Sequence, residues 1–142
     1  MKKVLFVCIH NSARSQIAEA LLKKYYGDTF DVSSAGFEPA SLNPTVIEVL
    51  KNEESLDISS NSVDSVFDFF KQGKAFNYVI TVCDETKAQK CPLFPGVNHK
   101  INWSFEDPNS FKGSKEEVYN KVKKVYLDIK NEIIKFAEIE RI

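Results

Sequence analysis

Apolar residues follow two rhythms along this chain. Lys3–Val7 and Tyr78–Val82 are short, almost unbroken apolar runs, the pattern of parallel strands buried on both faces. Between and after them the period changes to that of a helix. Ile17, Ala18, Leu21, Leu22 and Tyr25 recur at helical spacing up to Gly27, which ends the segment. Thr29–Ser34 is a second strand, closed by Ala35-Gly36. Asn43-Pro44 reads as a helix start, Asn as cap and Pro at the first position, with Val46, Ile47 and Leu50 as the apolar face. Val63–Phe70 predicts a short helix and Asn98–Trp103 a fourth strand. Ser114-Lys115-Glu116-Glu117 is a capping box. The long helix behind it carries Val118, Val122, Val125, Ile129, Ile133 and Phe136 on one stripe. Strands alternating with helices predict an α/β domain with a parallel sheet and right-handed crossovers. Ligands bind such sheets beyond the carboxyl ends of the strands, where Cys8 and Cys83 both fall.

Composition narrows the classes. A chain of 142 residues fits one domain, residues 1–142, against a usual range of roughly 100–200. The hydrophobic share of 43% is that of a globular protein. Nineteen Lys+Arg against 20 Asp+Glu leave a net charge of −1, which speaks against a nucleic-acid partner. No apolar run approaches the ~18 residues of a membrane span, so no membrane association is expected. The apolar start breaks off at Cys8-Ile9-His10-Asn11 and reads as a strand, not an export signal. The expected location is the cytoplasm and the expected state a monomer. Three cysteines, an odd number, argue against a structural disulfide framework.

The segment Cys8-Ile9-His10-Asn11-Ser12-Ala13-Arg14-Ser15 carries the chemistry. A tight loop from a strand into a helix turns backbone N–H groups inward, and the helix N-terminus adds positive potential. Ile9, His10, Asn11, Ser12 and Ala13 form such a cradle, and Arg14 can clamp two oxygens of a tetrahedral anion. The same field favours a Cys8 thiolate, below the free value of about 8.5, placed to attack the central atom. Ser15 is positioned to donate a hydrogen bond to that sulfur. His10 reads as a loop residue and not a base.

The stretch Val4–Ala20, with its Cys-x5-Arg-Ser loop, followed in order by Ser34-Ala35-Gly36 and Asp107-Pro108, resembles the low-molecular-weight protein tyrosine phosphatase superfamily. That superfamily includes thioredoxin-coupled arsenate reductases. The resemblance implies a four-stranded parallel sheet flanked by helices in three layers. It also implies that Asp107 is the general acid, with Glu106 a less suitable neighbour. Tyrosine phosphatases of this kind usually place aromatic residues after the Asp-Pro pair; here Asn109-Ser110 follow, with Phe111 displaced.

The cysteines favour the reductase branch. Reduction of arsenate takes two electrons, which two thiols supply on becoming a disulfide. Cys83 and Cys91 bracket a polar segment resembling the redox helix of the reductases, Cys83 matching the resolving cysteine and Cys91 the final one. The bridging geometry of a disulfide, with Cα atoms within about 7 Å, makes movement part of such a relay. A surface disulfide in a reducing compartment calls for a protein reductant, thioredoxin or a similar dithiol. No cofactor is required. The resemblance admits one potassium ion, held by Asn11, Glu19, Ser34 and Asp64. The expected substrates are arsenate and related tetrahedral oxyanions. Two alternatives stand beside this reading: a phosphatase acting on aryl phosphates through a Cys8 phosphocysteine, and a non-catalytic oxyanion-binding or redox-sensing module. A zinc site from Cys83, Cys91 and His99 lacks a CxxC knuckle. Trp103 and Phe105 read as packing.

Overall fold

A computed structural model of the chain describes residues 1–83, 90–96 and 99–141. Its strands are β1 (Lys2–Cys8), β2 (Phe30–Gly36), β3 (Tyr78–Thr81) and β4 (His99–Asn102). Its helices are α1 (Arg14–Tyr26), α2 (Pro44–Glu54), α3 (Val66–Lys71) and α4 (Lys115–Glu140), with a 3-10 turn at Pro108–Ser110. The strands form one parallel sheet in the order β2-β1-β3-β4. β1 is central, and every residue from Val4 to Cys8 is buried, which explains its lack of polar alternation.

Alternation along β1 divides the core. Val4, Phe6 and Cys8 face the layer that holds Ile17 and Leu21 of α1 and Ile129 and Ile133 of α4. Leu5 and Val7 face a smaller layer with Val66 and Phe69 of α3, Phe76, Phe94 and Cys91. Sheet and two helical layers make the three-layer α/β arrangement. Trp103 lies 6.0 Å from Phe6 and 5.9 Å from Phe136, ring centre to ring centre, so it packs in the larger layer.

Element boundaries follow local chemistry. Asn43 caps α2 through Oδ1, which accepts from the Thr45 and Val46 N–H groups. Ser114 and Glu117 close the capping box of α4. Gly27 ends α1 for want of space: a Cβ there would sit 2.5 Å from the Lys23 carbonyl oxygen. Three expectations shift. The helix predicted at Val63–Phe70 starts only at Val66, because the Asp64 carbonyl accepts from Gly36 N–H and Ser65 bridges to Gly36 in extended form. The strand predicted at Thr29–Ser34 runs on to Gly36, in register with β1 as far as Cys8. The fourth strand covers His99–Asn102; Asn98 lies outside the described residues, as do residues 84–89 between Cys83 and Cys91.

One carboxylate ties the helices together. Glu54, the last residue of α2, is 4% exposed. It accepts from Lys24 Nζ (3.0 Å) and Tyr25 Oη (2.5 Å) of α1, and from Lys130 Nζ (2.8 Å) and Tyr126 Oη of α4. Burial pushes its carboxyl up, but the hydrogen bonds from Lys130, Tyr126, Tyr25 and Lys24 together outweigh burial and hold it down at about 2. The folded value lies below the ordinary 4.5, so this stabilisation is complete above about pH 4.5 and is lost as pH falls toward 2.

Two predictions follow from these contacts. Glu54→Ala leaves the Lys130 ammonium and two phenols without this acceptor, while Lys24 keeps the backbone carbonyl of residue 54, and destabilises the fold by about 3 kcal/mol at pH 7. In denaturant titrations the gap between wild type and variant narrows below pH 4.5. A gap of constant size down to pH 2.5 would contradict the ionised role of Glu54. Gly36→Ala acts at the other end of the sheet. Its Cβ would stand 2.7 Å from Asn11 N and 2.8 Å from Ile9 O, so the loop after β1 has to move. The expected result is at least a roughly tenfold loss of affinity for inorganic phosphate by calorimetry, with far-ultraviolet dichroism retained, since a displaced donor set loses the charge-assisted bonds that hold an anion.

Candidate active site

The loop between β1 and α1 has its carbonyls committed elsewhere. The oxygens of Cys8, Ile9 and His10 accept from the N–H groups of Phe37, Glu38 and Ala40, and that of Ser12 from Asn43 N–H. The Asn11 oxygen accepts from Gln16 Nε2 (3.1 Å) and that of Ala13 from Ile17 N–H (2.9 Å). The connection between β2 and α2 thus draws most loop carbonyls to itself. The N–H groups of Ile9, His10, Ser12, Ala13 and Arg14 find no acceptor among the described residues, and α1 begins without a side-chain cap. A loop with its carbonyls engaged and its donors available, at a helix N-terminus, is built to receive an anion.

Cys8 ends β1 beside this loop and is buried. Its Sγ accepts from Asn11 N–H at 3.1 Å and lies 2.8 Å from Ser15 Oγ. Asn11 Nδ2 donates to the same Ser15 oxygen (2.7 Å), which leaves the hydroxyl hydrogen of Ser15 for the sulfur. Both bonds stabilise negative charge on Cys8 Sγ, as a nucleophile and leaving group requires. Asn11 is the centre of the arrangement. Its backbone is left-handed (φ 52°). Its Nδ2 also donates to Ser34 Oγ (2.9 Å), and its Oδ1 accepts from Asp64 N–H (3.0 Å) and Gln16 Nε2 (3.3 Å).

Arg14 is buried at the start of α1. Its Nη1 donates to the Phe105 carbonyl (3.1 Å), and its Nη2 lies 3.7 Å from Asp107 Oδ2. Asp107 therefore faces the loop. Its Oδ1 caps the 3-10 turn by accepting from Asn109 N–H (2.9 Å). Glu106 is exposed. His10 turns to the neighbouring connection, donating from Nδ1 to the Glu38 carbonyl (2.9 Å).

All three cysteines are buried and none is in a disulfide. Cys83 stands just beyond β3, which pairs with β1 through Val7 and Thr81, so Cys8 and Cys83 occupy the carboxyl ends of neighbouring strands. Asn102 Nδ2 holds the Cys83 carbonyl at 2.8 Å. Cys91 packs on the other face of the sheet from Cys8, among Leu5, Val7, Phe76, Val79 and Phe94. Burial pushes its thiol up to about 11; Lys100 pulls the other way and the nearby Cys83 adds to the rise. His99 stacks on Tyr78 at 4.9 Å. Among the described residues no group of three His, Cys, Asp or Glu is set to hold a metal ion, so Cys83, Cys91 and His99 do not form a zinc site.

The four residues assigned to potassium meet in part. Glu19, Ser34 and Asp64 line a polar cavity of about 260 Å³ that Lys23 also lines. Ser34 Oγ donates to Glu19 Oε1, and Lys23 Nζ to Glu19 Oε2, both at 2.5 Å. Asn11 does not line this cavity: its amide nitrogen donates to Ser34 from behind, and its oxygen is engaged by Asp64 N–H and Gln16. Glu19, Ser34 and Asp64 thus offer a hard cation oxygen donors, with an ammonium already beside Glu19.

Several residues at the site carry no signal in the pattern. Gln16 is fully buried and links Asn11 to Asn61 and the Ser62 carbonyl. Asn109 joins Ser12 to Asn43. Only Gly36 had a visible trace, as the small residue closing a strand, and its space is taken up by the approach of Asn11 and Ile9.

Known proteins share this arrangement. The chain is 38% identical over 138 residues to an arsenate reductase of Shouchella clausii, covering 96% of each. A solved structure described as an arsenate reductase in the oxidised state superposes with a TM-score of 0.73 at 30% identity, covering 95% of this chain and 98% of that one. A thioredoxin-dependent arsenate reductase of Corynebacterium glutamicum superposes at 0.64 with 32% identity, over 96% of this chain and 63% of that one. The model of the low molecular weight phosphotyrosine protein phosphatase family matches residues 3–141, and the chain belongs to that family.

Proposed function

We propose that this protein reduces arsenate to arsenite with its own thiols and is recycled by thioredoxin or a similar dithiol protein. One observation carries the choice over plain phosphoryl chemistry: Cys83 lies at the strand end next to Cys8, and Cys91 neighbours Cys83 from the other face of the sheet. Phosphoryl transfer through Cys8 needs no second or third thiol, which in a phosphatase would only guard Cys8 from oxidation. The similarity to arsenate reductases supports the same reading.

The loop donors and Arg14 bind the oxyanion. Cys8 Sγ attacks arsenic, and an oxygen leaves as water with a proton from Asp107. Cys83, as thiolate, attacks Cys8 Sγ. The S–As bond breaks, its electron pair stays on arsenic, and arsenite departs as Cys8–Cys83 forms. Cys91 then attacks Cys83, releasing Cys8 and forming Cys83–Cys91. The dithiol reductant takes up this last disulfide and is itself oxidised. The elevated Cys91 thiol fits its late place: while buried it stays protonated, and it becomes a nucleophile when movement takes it out of the apolar layer.

No cofactor enters these steps. A potassium ion in the Glu19, Ser34 and Asp64 cavity, with Asn11 behind Ser34, would add positive charge to the hydrogen-bond chain that ends at Ser15 and Cys8. The protein works as a monomer in the reducing cytoplasm, where its reductant is available. Among the described residues no helix is long and apolar enough to cross a membrane.

The test is arsenate-dependent NADPH oxidation with thioredoxin and thioredoxin reductase. Wild type sustains oxidation, Cys83→Ser gives none, and Cys91→Ser gives at most one equivalent of arsenite per chain. Full-rate turnover by Cys91→Ser would remove the relay. Steady aryl phosphate hydrolysis with no arsenate turnover would move the protein to the phosphatase reading.

A further inference from the structure

Three polar ties join the Asp107 segment to the anion loop among the described residues. Two come from Arg14, to the Phe105 carbonyl and to Asp107 Oδ2. The third runs from Asn109 Nδ2 to Ser12 Oγ at 2.8 Å. The first two use the guanidinium that a bound oxyanion also needs. An anion that draws Arg14 to itself loosens the segment at the moment Asp107 has to deliver a proton. The third tie is neutral, does not compete for the anion and persists.

We infer that Asn109 is the positioning residue that keeps the Asp107 carboxyl over the anion loop once substrate has engaged Arg14. The amide of Asn109 is fixed at both ends. Its Nδ2 donates to Ser12, and its Oδ1 accepts from Asn43 Nδ2 at 2.7 Å. Reversing the amide would set its nitrogen against Asn43 Nδ2, a donor facing a donor. Asn43 is itself fixed, since its Oδ1 caps α2 and its N–H binds the Ser12 carbonyl. Ser12 is buried in the middle of the loop. The backbone N–H of Asn109 occupies Asp107 Oδ1, so the carboxyl presents Oδ2 to the site. The path from Ser12 through Asn109 to Asp107 transmits the loop's position to the acid. This role rests on Asp107 acting as the acid in the proposed reaction.

The experiment is a double-mutant cycle of Asn109→Ala and Asp107→Asn, read as arsenate turnover, with inorganic phosphate binding as the measure of the loop. Asn109 is exposed, and thermal unfolding verifies that each variant folds. In the wild-type background, Asn109→Ala lowers kcat by ~10- to 100-fold, the scale of a misplaced catalytic group, while phosphate affinity changes by less than about threefold. In the Asp107→Asn background the same change costs less than about twofold, because the group it positions is gone. Equal losses in both backgrounds, a loss confined to phosphate affinity, or full activity of Asn109→Ala would each overturn the inference. Should Asn109→Ala not fold, Asn109→Ser removes the amide donor to Ser12 without adding charge beside the loop; the same pattern is expected. Undiminished arsenate turnover by Asp107→Asn overturns the acid reading itself. A wild type that hydrolyses aryl phosphate but not arsenate overturns the proposed function instead, and the same cycle on aryl phosphate then decides the role of Asn109.

Discussion

The left-handed backbone of Asn11 is the constraint on which the site depends. A non-glycine residue at positive φ is disfavoured, and Asn is among the few side chains that tolerate it by bonding locally. Here four groups hold the side chain: Ser15, Ser34, Gln16 and the Asp64 N–H. The same turn sends Asn11 N–H to the Cys8 sulfur and brings the loop onto Gly36, where a Cβ would not fit. Backbone reversal, nucleophile and floor of the loop are therefore one arrangement. Disturbing any one of them moves the other two.

The sheet imposes a second constraint, on the order of the thiols. Cys8 and Cys91 pack on opposite faces of the sheet, so a direct exchange would have to pass through buried strands. Cys83 sits at the carboxyl edge of the sheet, on the strand next to that of Cys8. In the proposed relay this placement gives the middle cysteine its intermediate position. Cys91 in turn is kept protonated by the apolar layer that holds it, so it stays inert until the layer opens.

What the sequence disclosed and what it concealed divide along contact distance. The strand, the Cys8–Arg14 loop and the helix behind it were legible because their pattern is local: an apolar run, small polar residues, then helical period. The capping box at Ser114 was legible for the same reason. The pattern misplaces the start of α3 because Val63–Ser65 looks helical but is held out of the helix by partners about 30 to 50 residues earlier, Gly36 and Asn11. Gln16 and Asn109 are ordinary polar residues whose meaning appears only when chain segments far apart meet. Cys91 is the clearest case. The polar stretch before it gives no hint of the apolar layer formed around it, in which Leu5 and Val79 come from distant strands and only Phe94 is near in sequence.

The choice of neutral side chains around the loop has a physical logic. Ser12, Ser15, Ser34, Asn11, Asn43 and Asn109 brace it with hydrogen bonds that carry no net charge. A carboxylate in any of these places would repel an incoming oxyanion, and an ammonium would compete with Arg14 for it. The charged network of comparable density, Glu54 with Lys24 and Lys130, lies at the far end of α2 from Asn43, where it secures the helices without bearing on the site. Asp107 is the exception that the chemistry demands: a carboxyl beside Arg14, where an anion will come. In the proposed reaction this carboxyl supplies the proton that the leaving oxygen needs. A neutral brace such as Asn109 suits that role because its side-chain bonds, to Ser12 and Asn43, join uncharged groups, so the proposed acid is tied to the loop by contacts that an arriving anion does not contest.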